Sequence, residues 1–176
     1  MKYVAFLRGV NVGGVIVKMT DAKALFESLG FTNVVTIIAS GNIIFDAEKG
    51  TEESITRKIE AGLHKKYKRE IAVMLRSIED LRSIEKLRPF QGIEVKPSTR
   101  LYVTFLYEPS RGVHIPDPDP FFKIVRIKGM DVFSVVEVSE TAGTVESMAK
   151  LVKIFGTKIS MRNWNTVQKI LKAATL

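Results

Sequence analysis

Three short stretches concentrate the residue types that bind or activate other molecules: AFLRGVNVGG at 5–14, SGN at 40–42 and RNWNT at 162–166. In the first, Arg8 carries a planar fork of N–H donors that matches a carboxylate or a phosphate. Gly9, Gly13 and Gly14 allow the backbone to turn its own N–H groups toward a ligand, because glycine takes positive φ without a Cβ clash. Asn11, Ser40 and Asn42 add short groups that donate and accept, with Gly41 between the last two. Anion binding is the chemistry this collection suits. In the third stretch Asn163 can cap a helix, or Ser160 can cap a slightly earlier start. Arg162 then meets the positive end of the helix dipole, a place an anion would also be drawn to, with Thr166 in the first turn.

Each of these residues also has a purely structural reading. Gly41-Asn42 can be a tight turn, Asn11 can bond its own loop, Arg8 can pair with an acid or cap carbonyls, and Arg162 can stand exposed. The two readings are level at this point.

Named catalytic patterns fail. Gly9 and Gly14 have the spacing of the two P-loop glycines, but Val15-Ile16 stands where Lys and Ser/Thr are required. G-x-G-x-x-G, G-x-S-x-G and H-E-x-x-H are missing from the sequence. No nucleophile–base pair or carboxylate pair can be named, so an enzyme at this edge is the weakest reading. With no cysteine and only two histidines, His64 and His114, far apart, a metal site is not expected, although an all-oxygen Mg²⁺ site stays open. No cofactor is indicated.

The elements that must position these residues are legible from periodicity. Residues 3–7 form a strand apolar on both faces. Ala22, Leu25, Phe26 and Leu29 make one helical stripe, capped by Thr20 or Asp21 and closed by Gly30. Two β-branched runs flank Gly41-Asn42, a two-residue hairpin signal. A helix spans about 52–68 on Ile55, Ile59, Leu63 and Tyr67, then residues 71–76 form a strand. Ser77 and Asp80 have capping-box spacing for a third helix through Leu81, Ile84 and Leu87.

This β-α-β-β-α-β order is that of a ferredoxin-like unit. In it the first and third strands are antiparallel neighbours, so the 8–14 loop and the 40–42 turn leave the same sheet edge.

Residues 89–98 read as a connection. After it come strands at 101–107, 122–127 and 131–138, a helix capped by Thr144 and closed by Gly156, a short strand near 158–161 and a terminal helix from Trp164. The segment 109–120 holds four prolines in twelve residues and cannot form a regular helix. The expected fold is therefore α+β: two ferredoxin-like halves, 1–88 and 99–176, the second lacking its first crossover helix, plus a C-terminal helix. Trp164, the only tryptophan, is expected to be a packing anchor.

The 176 residues are 45% hydrophobic and 26% charged, which suits a folded core and not disorder. The apolar run at the start is too short for a signal peptide or a membrane span, so a cytoplasmic protein with no membrane partner is expected. Net charge is +8, which fits an anionic partner, although with no dense basic tract beyond one cluster a soluble protein that simply happens to be basic is the favoured reading of the charge. The basic cluster HKKYKRE at 64–70 reads better as a dipole-matched helix end than as a nucleic-acid patch. A small anionic ligand is therefore the leading partner, and nucleic acid the alternative.

FLRGVNVGG, SGNIIF and RNWNTV together resemble the signatures of the bacterial domain of unknown function 1697. The resemblance implies α+β ferredoxin-like halves with no established activity. It also implies functional importance for Arg8, Gly9, Asn11, Gly13, Gly14, Ser40, Gly41, Asn42, Arg162, Asn163, Trp164 and Thr166. Relatives usually carry a tyrosine, a proline-glycine turn and a serine in the second half. Here the segment reads GMDVFSVVEVSETAG, with Phe133 where the tyrosine is expected.

Overall fold

The computed structural model describes residues 1–110, 112–140 and 142–175. Arg111 and Thr141, inside two of the segments read above, lie outside the described residues. The chain divides into two compact units, residues 1–82 with 169–176, and 83–168.

The first unit contains β1 (Lys2–Leu7), α1 (Met19–Ser28), β2 (Thr32–Ile37), β3 (Asn42–Asp46), α2 (Glu52–Tyr67) and β4 (Val73–Ser77). Its antiparallel sheet has the order β2-β3-β1-β4. The first and third strands are thus central neighbours, in the register Tyr3↔Phe45 and Ala5↔Ile43.

Tyr3, Ala5 and Leu7 face a core shared with Ala22 and Phe26 of α1 and Ile55, Ile59 and Leu63 of α2. Phe45 is its aromatic centre, with Phe31 at 4.5 Å and Phe26 edge-on at 5.3 Å, contacts that add about 0.5–1.5 kcal/mol each beyond burial. The alternate residues Val4, Phe6 and Ile44 are buried as well. That explains why these strands are apolar on both faces.

The second unit contains β5 (Thr99–Leu106), β6 (Phe122–Lys128), β7 (Asp131–Glu137), α4 (Thr144–Phe155) and β8 (Ile159–Asn163). Its sheet order, β6-β7-β5-β8, repeats that of the first unit. The division between the units falls within α3 (Ile78–Lys86) and within α5 (Trp164–Ala173). The fold class is therefore α+β, with two four-stranded antiparallel sheets and, among the described residues, five helices, of which α5 is the C-terminal one.

No helix forms among the described residues between β5 and β6. Instead Asp119 anchors the proline-rich segment. Its Oδ1 accepts the N–H of Phe121 and of Phe122 at 2.8 Å each, and its Oδ2 takes the Lys150 ammonium of α4. The Lys150 hydrogen bond, aided by those backbone donors, lowers the Asp119 carboxyl below its ordinary range.

Several local expectations are corrected. Helix α1 starts earlier than Thr20 or Asp21 would place it, and its N-cap, Lys18, makes no side-chain cap. Helix α4 is capped at Gly143, whose N–H donates to Glu146 Oε2 at 2.8 Å, and Thr144 Oγ1 pairs with the Tyr102 hydroxyl at 2.9 Å. The expected halves 1–88 and 99–176 also differ from the observed units. Residues 83–98 group with the second unit and the end of α5 with the first, where the Lys2 ammonium donates to the Ala174 carbonyl at 3.0 Å.

The two units share a strand-to-helix joint that the sequence did not advertise as a repeat. Arg76 stands opposite Val4, and Arg162 stands opposite Val103. Each donates Nη1 to the carbonyl of the residue before it, Leu75 at 2.8 Å and Met161 at 3.0 Å. The next residue opens a helix in both cases. Ser77 Oγ accepts from Asp80 N at 3.0 Å, completing the predicted capping box, and Asn163 Oδ1 accepts from Asn165 N at 2.9 Å. Ser160, the other candidate cap, is instead buried in β8.

Candidate functional site

Leaving β1, the chain at Arg8 bonds through its N–H to the Ala72 carbonyl at 2.9 Å. It then makes a small closed loop. Val10 and Val15 form a bridge, and Asn11 N donates to Val15 O at 2.9 Å. Gly9 and Gly13 hold φ of +64° and +70°, with nothing within 4 Å of the place a Cβ would take. Gly14 differs: it has no left-handed φ, and a Cβ there would make a tight approach of 3.0 Å to the Gly9 carbonyl oxygen.

The β2–β3 turn meets this loop, as the strand adjacency demands. Leu7 N donates to Gly41 O at 2.9 Å. Asn11 itself has φ +59° and acts as a clasp. Its Nδ2 donates to Val17 O at 2.9 Å and to Ala39 O at 2.7 Å, while its Oδ1 accepts Val17 N at 2.8 Å. Gly41 lets the two segments close. A Cβ at that residue would stand 2.5 Å from Val10 Cγ2 and 3.0 Å from Leu7 Cβ.

The hairpin is not the two-residue Gly41-Asn42 turn expected. The strands are joined by residues 38–41, and Asn42 is the first residue of β3, fully buried opposite Ile37. Its Nδ2 donates to Ile37 O and to Ser40 Oγ, both at 2.9 Å, so it builds the end of the ladder. Ile38 takes the left-handed conformation at φ +49° while 49% exposed, an unfavourable state for a β-branched residue. Neither Ile38 nor the Ala39 carbonyl was singled out from the sequence, and nothing in their residue types marks them.

The structure therefore brings Arg8, Gly9, Asn11, Gly13, Gly14, Ser40, Gly41 and Asn42 to one edge of the first unit. Arg8 is half-buried there. Arg162, Asn163 and Thr166 belong to the second unit, at the end of β8 and in the first turn of α5, and all three are half-buried. Asn163 is occupied on one side as the α5 cap. Phe133, at the place where relatives usually have tyrosine, is fully buried in β7 with the Phe90 ring 6.0 Å away. It brings no hydroxyl to that position. Among the described residues no group of three or more His, Asp or Glu could hold a metal ion, and no helix is long and apolar enough to cross a membrane.

Residues 1–118 match the family model described as protein of unknown function (DUF1697). The chain belongs to that family. The third stretch of the family resemblance, at 162–167, lies beyond the matched residues. No curated protein matches the chain. Among solved structures the chain resembles a conserved bacterial protein, SP0830, from Streptococcus pneumoniae, with a TM-score of 0.73 and 23% identity over 99% of this chain and 98% of that one. That likeness concerns the fold.

Proposed function

We propose that this DUF1697 protein binds a small anion, phosphate- or carboxylate-bearing, at the edge formed by residues 8–14 and 40–42. One observation carries the reading. The Asn11 clasp ties the two glycine-bearing segments into a single edge, on which the backbone at Gly9 and Gly13 is left-handed and has open space above it. Backbone N–H groups in such a conformation form anion-binding concavities. Arg8, directly before Gly9, brings the planar donor fork. Asn11 and Asn42 enter this proposal as the supports that shape the edge, because their amide groups are occupied by backbone carbonyls and by Ser40.

The test is a thermal-shift screen of inorganic phosphate, nucleotides, sugar phosphates and acyl-CoAs on the wild type and on Arg8→Lys. The substitution keeps the charge and removes the fork. One ligand class should raise the wild-type melting temperature by mass action. Arg8→Lys should weaken that ligand about tenfold, roughly 1.4 kcal/mol, and leave the ligand-free melting temperature unchanged. A drop in ligand-free stability with no stabilising ligand would make Arg8 a structural clamp and end the proposal. Salt-dependent binding of generic RNA or DNA in place of a single metabolite class would turn the function toward nucleic acid.

A further inference from the structure

The second unit holds a cavity of about 370 Å³ between residues 95–97, the start of β5 and the start of α5, a size within the range of small-molecule sites. Its wall describes one kind of guest. Trp164 lines it. The indole is only partly buried, and the Phe90 ring steadies it from 5.5 Å at a 66° tilt. Arg100 lines it as well, and its Nη1 donates to the carbonyls of Pro97 at 2.6 Å and Thr99 at 3.0 Å. Those bonds hold the guanidinium in place, yet no carboxylate among the described residues pairs with it.

Asn163 spends Oδ1 on the α5 cap, and its Nδ2 donor makes no hydrogen bond to another described residue. Lys96 stands among the lining residues with a loose, exposed partner, Glu94 at 3.7 Å. None of the lining residues is acidic. Glu137 is engaged by the hydroxyls of Ser98 at 2.9 Å and Thr99 at 2.8 Å and does not line the cavity.

An indole wall, a guanidinium positioned by backbone with no counter-charge and an unspent amide donor call for a flat ring that carries an anion. We propose that this cavity binds a small aromatic anion, a heterocyclic or aryl ring bearing a phosphate or carboxylate, with the ring against Trp164 and the anion on Arg100 and the Asn163 amide. The proposal is independent of the 8–14 edge, since every residue it uses lies in the second unit.

Trp164 is the only tryptophan, so the guest reports itself. Titration with adenosine monophosphate and with an aryl carboxylate, followed by indole fluorescence, should give saturable quenching by at least one of them. Adenosine without its phosphate should bind at least about tenfold more weakly than adenosine monophosphate. The exposed-residue variant Arg100→Gln should lose at least about tenfold in affinity while its ligand-free melting curve stays at the wild-type position, and Arg8→Lys should leave the quenching unchanged. Absence of saturable quenching by either compound, equal quenching by adenosine, or wild-type affinity in Arg100→Gln would overturn the proposal.

Discussion

The Asn11 amide and the Ala39 carbonyl, 2.7 Å apart, join two segments 28 residues distant in sequence and make one edge of the first unit. The same side chain closes its own loop onto Val17 through both of its polar atoms. An asparagine is the side chain that does both at a left-handed position, because it tolerates positive φ and carries donor and acceptor on one short arm.

Removal of this clasp should therefore be costly for an exposed residue. Asn11→Gly keeps the backbone free to stay at φ +59° and deletes the three hydrogen bonds of the side chain. The expected loss is about 1–3 kcal/mol, measured by urea unfolding. Asn11→Ala should lose somewhat more, since its backbone is also strained. Wild-type stability in Asn11→Gly would show that the clasp holds nothing.

The glycines of the edge should separate by cause. Gly41→Ala places a methyl 2.5 Å from Val10 Cγ2 in addition to straining φ +77°, whereas Gly13→Ala meets only the strain of φ +70°. The second change should cost about 1–2 kcal/mol and the first clearly more. Ile38 runs the other way: Ile38→Asn at φ +49° should stabilise by about 1 kcal/mol. Thermal melts of the three variants, ranked Ile38→Asn, Gly13→Ala, Gly41→Ala, check this; equal melting of the two alanine variants would contradict it.

In the second unit Thr104 and Ser134 are fully buried, and neither hydroxyl has a hydrogen-bond partner among the described residues. Both lie on the side of the sheet that packs on α4, since Ser134 stands opposite Tyr102 and Thr104 opposite Val132. An unsatisfied buried hydroxyl is a cost without a return. Thr104→Val keeps the shape and should stabilise by about 1 kcal/mol or more, read from the urea midpoint. A destabilised Thr104→Val would mean that the hydroxyl has a partner such as a buried water.

Glu137 predicts an acid limb. Hydrogen bonds from Thr99 first, then from Ser98, and the charges of Lys96 and Lys123 hold its carboxyl below the ordinary glutamate value, against a partial burial that raises it. A depressed folded value means that the carboxylate contributes stability above its unfolded value, near pH 4.3, and loses that contribution as pH falls through the folded value. Glu137→Gln should flatten the fall of melting temperature in that window and leave the slope near neutrality alone. An unchanged acid limb would assign the pH dependence to other groups.

How much of this was open to the sequence divides by range. The α+β class, the order of strands and helices, the Ser77–Asp80 box, the Asn163 cap and the helix-free proline segment follow from periodicity and from residues within a few places of one another. The meeting of the 8–14 and 40–42 segments followed one step further, because β1 and β3 pair in any sheet of this order, and the family likeness rests on residues in these segments and at 162–167. The tertiary structure decided the rest. Asn11 reaches Val17 and Ala39, Asn42 joins the buried ladder while Ile38 takes the turn strain, and Gly41 is needed because Val10 and Leu7 press on it. Arg100, which falls between the expected connection at 89–98 and the expected strand at 101–107, lines the same cavity as Trp164. These outcomes depend on distances of a few ångströms between residues far apart in the chain. A hydrogen bond or a steric contact is decided at that scale, and local pattern carries no information about it.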